Sequence, residues 1–471
     1  MILLILLHIY FVSFLDKPEK AVHALSPRAV EQRAKWSIPT DELDYPVSAL
    51  YLDSLRSMGA TVCHTSRWFN GATCSMTDSV AAKVSGLSFV TDVEMTRSDA
   101  TKPSAISRQK SAVSPVRPAL TNANARTDAQ LAIYNLTPLH EAGFEGQGIL
   151  MTVCDGGFAN ADTLSCFRRD SLELGHFDFT DDTDGFYGPT GEHGTVCLST
   201  ITGIQTDFYG AATQAQYYLM RSEEMNTESP KEMDNLVAAI EKADSLGTNV
   251  FSVSLGYYRF DNSAWNLPTS ALDGRSTRLS RAATIAARKG MLLCVAAGNM
   301  GNNNWRTIDT PADADSILTV GAVGADSIAG AFSSYGPSAD GRVKPEMCAW
   351  GVHTTFITPD GKISTGNGTS FATPLLAGLA ACLWSALPDE NAMQIRERII
   401  RSAHLYPNHD ALYHYGYGIP DAWKAYTMTL PQSIGQTNAN ANANAVKVLR
   451  NGQVLVIRNG KTYDIMGRQV E

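Results

Sequence analysis

Four polar residues in this chain stand in settings that could do nucleophilic chemistry. Gly366-Asn367-Gly368-Thr369-Ser370-Phe371-Ala372-Thr373-Pro374 runs into an apolar stretch from Leu375 to Ala380. Glycines ahead of a helix permit a tight approach, and a serine in the first turn gains from the positive end of the dipole as oxyanion charge develops. His193 lies in Gly191-Glu192-His193-Gly194-Thr195, ahead of Val196-Cys197-Leu198, an arrangement that suits a helix N-terminus. Asp155 ends the apolar run from Ile149 to Cys154 and precedes Gly156-Gly157, while Asn299 stands in Ala296-Ala297-Gly298-Asn299-Met300-Gly301. Taken singly, each has a plainer use. An Asp or Asn beside glycine is commonly a turn residue, a lone His is commonly structural or exposed, and Ser370 would serve as a helix N-cap.

The elements that must position these residues form an alternating pattern. Gly148 to Cys154, Gln216 to Met220, Val250 to Ser254 and Met291 to Val295 read as short apolar strands, and Ser229 to Leu246 and Arg278 to Arg288 read as helices. Strands alternating with helices predict an α/β fold with a parallel sheet sandwiched by helices, and functional groups gather at the carboxyl edge of such a sheet, where Asp155 falls. Ile9 to Arg97 reads as a smaller α+β unit. Its strands are expected at Ile9 to Phe14, Thr61 to Ser66, Asn70 to Met76 and Leu87 to Met95, and its helices at Ser26 to Ala34, Val47 to Met58 and Thr77 to Val84, an order that is ferredoxin-like. Ser98 to Thr127, rich in Ser, Ala, Pro, Asn and basic residues, reads as a linker open to proteolysis. Asn438 to Ala445 is an Asn-Ala spacer, after which Asn451-Gly452 and Asn459-Gly460 mark hairpin turns in a β tail. The expected division is therefore a partial signal segment at 1–8, the α+β domain at 9–97, a linker with a processing site at 98–128, the α/β domain at 129–430, a second linker at 431–445 and the tail at 446–471.

Composition narrows the partners. With 44% hydrophobic and 18% charged residues over 471 positions the chain is an ordinary globular protein of more than one domain. A net charge of -9 without a Lys/Arg cluster provides no field for nucleic acid. No G-x-G-x-x-G or phosphate-binding loop follows a strand, so no cofactor is implied. The eight cysteines lack C-x-x-C spacing and several sit in apolar runs, which predicts free, buried thiols and no metal cluster. Cys63 and Cys74 fall on neighbouring strands and are the one pair expected to be able to bridge. The apolar run after Met1 has no basic residue ahead of it, so the export signal reads as incomplete, and no later run reaches the roughly 18 apolar residues of a membrane span.

In combination, the chain resembles the subtilase family, peptidase family S8. The likeness rests on Val153-Cys154-Asp155-Gly156-Gly157-Phe158, His193-Gly194-Thr195, Ser254-Leu255-Gly256, Ala297-Gly298-Asn299 and Gly368 to Pro374, and covers about 129 to 425. Phe332 to Pro337, Lys344-Pro345-Glu346 and Gly416 to Pro420 add to it. The resemblance implies a secreted or cell-surface serine endopeptidase with Asp155, His193 and Ser370 as catalytic triad and Asn299 in the oxyanion hole. It also implies substrate binding along Ser254, Leu255, Gly256, Ala297 and Gly298, with an extended peptide as substrate. The N-terminal unit is similar to the family's propeptide, which implies an intramolecular inhibitor removed on maturation; an accessory domain is the alternative. Gly460 to Val470 is similar to C-terminal sorting segments of surface and secreted Bacteroidetes proteins, and equally to a plain hairpin remnant. Departures from the family pattern are Gly156 after the acid, Val196-Cys197-Leu198 after His-Gly-Thr, and Phe371 and Leu375 around the serine. The family's calcium sites have no counterpart in the sequence. Two rival readings are a catalytically silent subtilase-fold binding protein and a nucleotide-binding α/β protein.

Overall fold

In a computed structural model, the described residues are 6–18, 22–98, 113–114, 127–167, 172–430, 445–450, 453–458 and 461–463. The N-terminal unit runs β1 (His8–Phe14), α1 (Pro27–Lys35), α2 (Ala49–Ser57), β2 (Thr61–Ser66), β3 (Gly71–Met76), α3 (Asp78–Val84) and β4 (Val90–Ser98). Ser26, Ser48 and Thr77 each cap the following helix by accepting a backbone N–H, so the helix starts are written in single hydroxyls. The antiparallel sheet has the order β2-β3-β1-β4, the ferredoxin-like arrangement expected from the element order.

Cys63 and Cys74 do not bridge; all eight cysteines are free. The pairing of β2 with β3 sets Val62 opposite Cys74 and slips between Val62 and His64, so Cys63 occupies the irregular position. Successive strand residues face opposite sides of a sheet, which leaves Cys63 exposed while Cys74 lies in the core.

The larger sheet contains β5 (Leu150–Asp155), β6 (Glu173–Asp178), β7 (Gln216–Arg221), β8 (Val250–Val253), β9 (Leu292–Ala296), β10 (Leu318–Val323) and β11 (Met347–Trp350). Its order is β11-β10-β9-β8-β5-β7-β6 and every pairing is parallel. One apolar core joins α4 (Glu192–Thr202) and α7 (Thr369–Ala386) to the sheet, and a second joins it to α5 (Pro230–Leu246) and α6 (Arg278–Arg288). Helix α5 ends at Gly247, whose φ of 78° is the left-handed cap that glycine adopts without strain. Because β9, β8 and β5 are neighbours, the segments that leave their carboxyl ends are brought together: Ala297-Gly298-Asn299, Ser254-Leu255-Gly256 and Asp155-Gly156.

Helix α7 is long and apolar enough to cross a membrane by length and composition, contrary to the expectation that no run would be, but 89% of that window is buried. It is the central helix of the larger fold. The chain after Thr427 forms a separate unit in which Ala445–Arg450, Gln453–Arg458 and Lys461–Tyr463 make the expected meander. The Asn-Ala spacer and nearly all of the first linker lie outside the described residues; of the latter, Val113–Ser114 pairs antiparallel with Ile363–Gly366.

The N-terminal unit meets the larger one on α5 and α6. Asp244, 5% exposed, accepts from Arg33 at 2.8 Å to each oxygen and also pairs with Arg67. Glu241 accepts from the Arg67 backbone N–H at 2.8 Å and from the Ser66 hydroxyl. Lys289 bridges Asp41 at 2.7 Å and Asp44 at 2.9 Å. Arg278 joins Glu94 of β4 to Asp234 and lies 3.8 Å over the Phe11 ring. Charge pairs this dry tolerate little mismatch, because removing one partner strands the other.

Candidate active site

Asp155 closes β5 and is 1% exposed. Its Oδ1 accepts two hydrogen bonds at 2.8 Å, from Gly156 N–H and from His193 Nδ1. Three glycines make that approach possible. A Cβ on Gly194 would lie 2.2 Å from the Gly157 carbonyl and 2.9 Å from Asp155 Cβ, and one on Gly191 would lie 2.5 Å from Gly157 Cα. The Asp-Gly-Gly turn and the start of α4 therefore touch backbone to backbone, and His193, the second residue of α4, is carried onto the carboxylate. Burial disfavours the imidazolium, but the carboxylate at Nδ1 outweighs it and holds His193 well above the usual histidine range.

One turn further along α4, Cys197 sits against the ring, with Sγ 3.8 Å from Nδ1 and 3.9 Å from Nε2. The same thiol lies 3.3 Å from the Ser370 carbonyl oxygen. Burial pushes the Cys197 thiol up, so it stays protonated and serves as a donor and spacer. His193 and Ser370 thus flank one sulfur atom, and the rings of His193 and Phe371 are 6.0 Å apart between centroids.

Pro374 explains how Ser370 is held. In a helix the Ser370 carbonyl would accept from the N–H four residues on, and proline has none. The freed oxygen instead accepts from the Ser254 hydroxyl at 2.8 Å and from Cys197. The serine backbone is thereby locked to the carboxyl end of β8 and to α4. Thr369 does the same for Asn299: its N–H donates to Asn299 Oδ1 at 2.9 Å, which leaves the side-chain NH2 of Asn299 facing away as a donor. The Thr369 hydroxyl also accepts from Gly298 N–H at 3.2 Å.

All nine residues singled out by sequence therefore fall around one edge of the sheet. Ser254 turns its hydroxyl to Ser370, Leu255 is buried at 6% exposure and Gly256 is exposed. Ala297 is buried and its carbonyl accepts from Asp309 N–H at 3.3 Å. Sequence reasoning missed Cys197 as a contact, Thr369 as the clamp on Asn299 and Asp309 altogether; Pro374 was the visible signal for the first, and the other two had none.

Two groups have metal-ligating geometry among the described residues: Asp155 with His193 and Cys197, and Glu223 with Glu228 and Glu232, the ligand atoms in each lying within 4.8 Å of one another. Hydrogen bonding accounts for the first. In the second, Glu232 accepts from Glu224 N–H at 2.8 Å and Ser229 N–H at 3.0 Å, and it was not anticipated from sequence.

The family model for the subtilase family matches residues 146–418, more than half of the chain. The chain belongs to the subtilase family. A second model, the peptidase S8 propeptide domain of Bacteroidota, matches residues 9–112. Subtilisin DY of Bacillus licheniformis is 29% identical over 281 residues, which is 59% of this chain and 90% of that protein. Subtilisin E of Bacillus subtilis (strain 168) is 28% identical over 284 residues, 60% of this chain and 66% of that protein. Among solved structures, MycP1 from Mycobacterium smegmatis shares the fold with a TM-score of 0.53 at 22% identity, over 68% of this chain and 89% of that one. This subtilase is a serine endopeptidase made as a precursor with its own propeptide.

Proposed function

We propose that Ser370 is the nucleophile, His193 the general base and Asp155 the group that orients and stabilises the imidazolium. His193 takes the Ser370 proton as the hydroxyl attacks the scissile carbonyl, then returns it to the leaving amine, and water resolves the acyl-enzyme by the same path in reverse. The Asn299 amide and the Ser370 backbone N–H donate to the tetrahedral oxyanion. The observation that carries this reading is the Asp155–His193 hydrogen bond of 2.8 Å with its ring resting on the thiol that also contacts Ser370. Extended substrate pairs with Ser254-Leu255-Gly256, the N-terminal unit docked on α5 and α6 holds the cleft inhibited, and the enzyme is secreted or acts on the cell surface. Nothing among the described residues favours a silent binding protein. Ser370→Ala tests the assignment: peptide hydrolysis is expected to vanish and, where maturation is autocatalytic, the precursor to stay whole. Undiminished hydrolysis by that variant refutes it.

A further inference from the structure

Asp309 is a carboxylate that the proposed mechanism does not use. It is 5% exposed, and among the described residues no cation is paired with it. Trp305 Nε1 donates to Oδ1 at 3.0 Å, and Oδ2 has no hydrogen-bond donor assigned to it. Burial, reinforced by the nearby Asp313, pushes this acid up to about 7. Desolvation of that kind is unfavourable and persists where something else requires the charge.

Its position says what. Asp309 N–H donates to the Ala297 carbonyl at 3.3 Å, and the next residue, Thr310, forms a two-way backbone bridge with Tyr257 at 2.9 and 3.2 Å. The segment therefore ties together the two strand-end segments that read as substrate binding, Ala297-Gly298 and Ser254-Leu255-Gly256. Oδ2 points between them. A Cβ on Gly298 would lie 2.4 Å from Oδ2, and a Cβ on Gly256 would lie 3.3 Å from it and 2.9 Å from Asp309 Cβ. Gly298 has φ +106°, so no other residue takes that backbone easily. The two glycines thus let the carboxylate lie directly against the backbone of both segments with no side chain between, so an acid without a cation partner is the floor on which a side chain entering between those segments would rest. Trp305, stacked at 4.2 Å on Tyr258, flanks the slot with aromatic surface that suits the methylene stem of a long cationic side chain.

We infer that Asp309 is the specificity-determining residue of this peptidase and selects substrates with Lys or Arg on the acyl side of the scissile bond. A carboxylate on the floor of that pocket selects basic side chains because the cation supplies the missing counter-charge in a dry site. The same chemistry is abundant in the chain's own linker, where Lys102, Arg108, Lys110, Arg117 and Arg126 lie between the N-terminal unit and the subtilase domain. This inference rests on the triad reading above.

The test uses the mature enzyme and peptide p-nitroanilides that differ only in the residue before the cleaved bond: Arg, Lys, Gln, Leu and Phe. At pH about 8.5, above the Asp309 titration near 7, kcat/KM for Arg and Lys is expected to exceed that for Leu and Phe by about 100-fold or more. Asp309→Asn keeps the shape and the Trp305 contact; it is expected to lower Arg and Lys turnover by about 100-fold and leave Leu and Phe within about threefold. Benzamidine, a small amidinium, should compete with substrate in the wild type, a readout that does not depend on how the variant folds, and should lose that effect in D309N. A wild type that prefers Leu or Phe, indifference to benzamidine, or an equal loss on all substrates in D309N overturns the assignment. Absence of all hydrolysis together with no covalent labelling of Ser370 overturns instead the triad reading beneath it.

Discussion

Asp155→Asn isolates the electrostatic half of the site while keeping its shape. The carboxylate lies 2.8 Å from His193 Nδ1. At an effective dielectric of about 20 a full charge pair at that separation is worth about 6 kcal/mol, which at about 1.4 kcal/mol per tenfold corresponds to roughly 10⁴ in rate. Subtilisin, a relative, loses a similar factor when its corresponding acid is removed. Asn also has a choice of two poor orientations. With its oxygen at the Oδ1 position it retains both hydrogen bonds, but its NH2 then occupies the Oδ2 position, which is buried and without a partner. Flipped, it loses the Gly156 N–H and imposes the wrong tautomer on the histidine. The pH profile supplies a second readout. An imidazolium cannot accept the Ser370 proton, so kcat/KM is lost as pH falls through the His193 pKa, and Asp155 places that limb above the ordinary value of about 6.5. In the variant the carboxylate no longer offsets burial, which disfavours the charged ring, so the acid limb of the residual activity should move to lower pH than in the wild type. The assay is kcat/KM on one p-nitroanilide over about five pH units, from about 5 to about 10, with thermal melts to establish folding. A folded variant that loses less than about tenfold, or whose acid limb stays where the wild type has it, refutes the reasoning.

Other perturbations probe the neighbouring parts. Asn299→Ala is expected to lower kcat by about 10² to 10³ with little change in KM, the size of effect found for the homologous donor in subtilisin; equal kcat would remove it from the oxyanion hole. Gly194→Ala drives a methyl group to 2.2 Å from the Gly157 carbonyl, so it should cost about 1–3 kcal/mol of stability, read as a lower Tm, and a larger factor in kcat as His193 leaves Asp155. Asp244→Ala leaves the buried guanidinium groups of Arg33 and Arg67 without their shared acid, which at about 3–5 kcal/mol should weaken inhibition by the N-terminal unit by roughly two to three and a half powers of ten. An unchanged inhibition constant for that unit added in trans would mean that the docking surface lies elsewhere.

Much of the fold was legible because its determinants are local. Ser26, Ser48 and Thr77 mark helix starts, and the helix expected at Arg278 to Arg288 has those bounds. Three strands of the larger sheet went unassigned for physical reasons: Glu173–Asp178 is an edge strand with alternating exposure, Met347–Trp350 is only four residues long, and Leu318–Val323 follows its predecessor without a helix to announce it. At the site, the glycines and Pro374 were visible as letters, but their purpose was tertiary. That Gly194 clears the Gly157 carbonyl, or that Pro374 frees the Ser370 oxygen for Ser254 and Cys197, depends on segments far apart in sequence. Asp309 was invisible for the same reason, since an acid inside Thr307-Ile308-Asp309-Thr310-Pro311 carries no local sign of lying between two glycines. The Cys63–Cys74 expectation failed on a single slipped residue in β2.

Hydrolysis in this enzyme depends on activation of Ser370 by the His193–Asp155 pair. Treating the mature enzyme with a fluorophosphonate probe and mapping the adduct by peptide mass spectrometry tests it directly. One adduct is expected, on Ser370, and it should disappear in His193→Ala although that variant remains folded. Stoichiometric labelling of a different residue, or of Ser370 at full rate without the histidine, would contradict it.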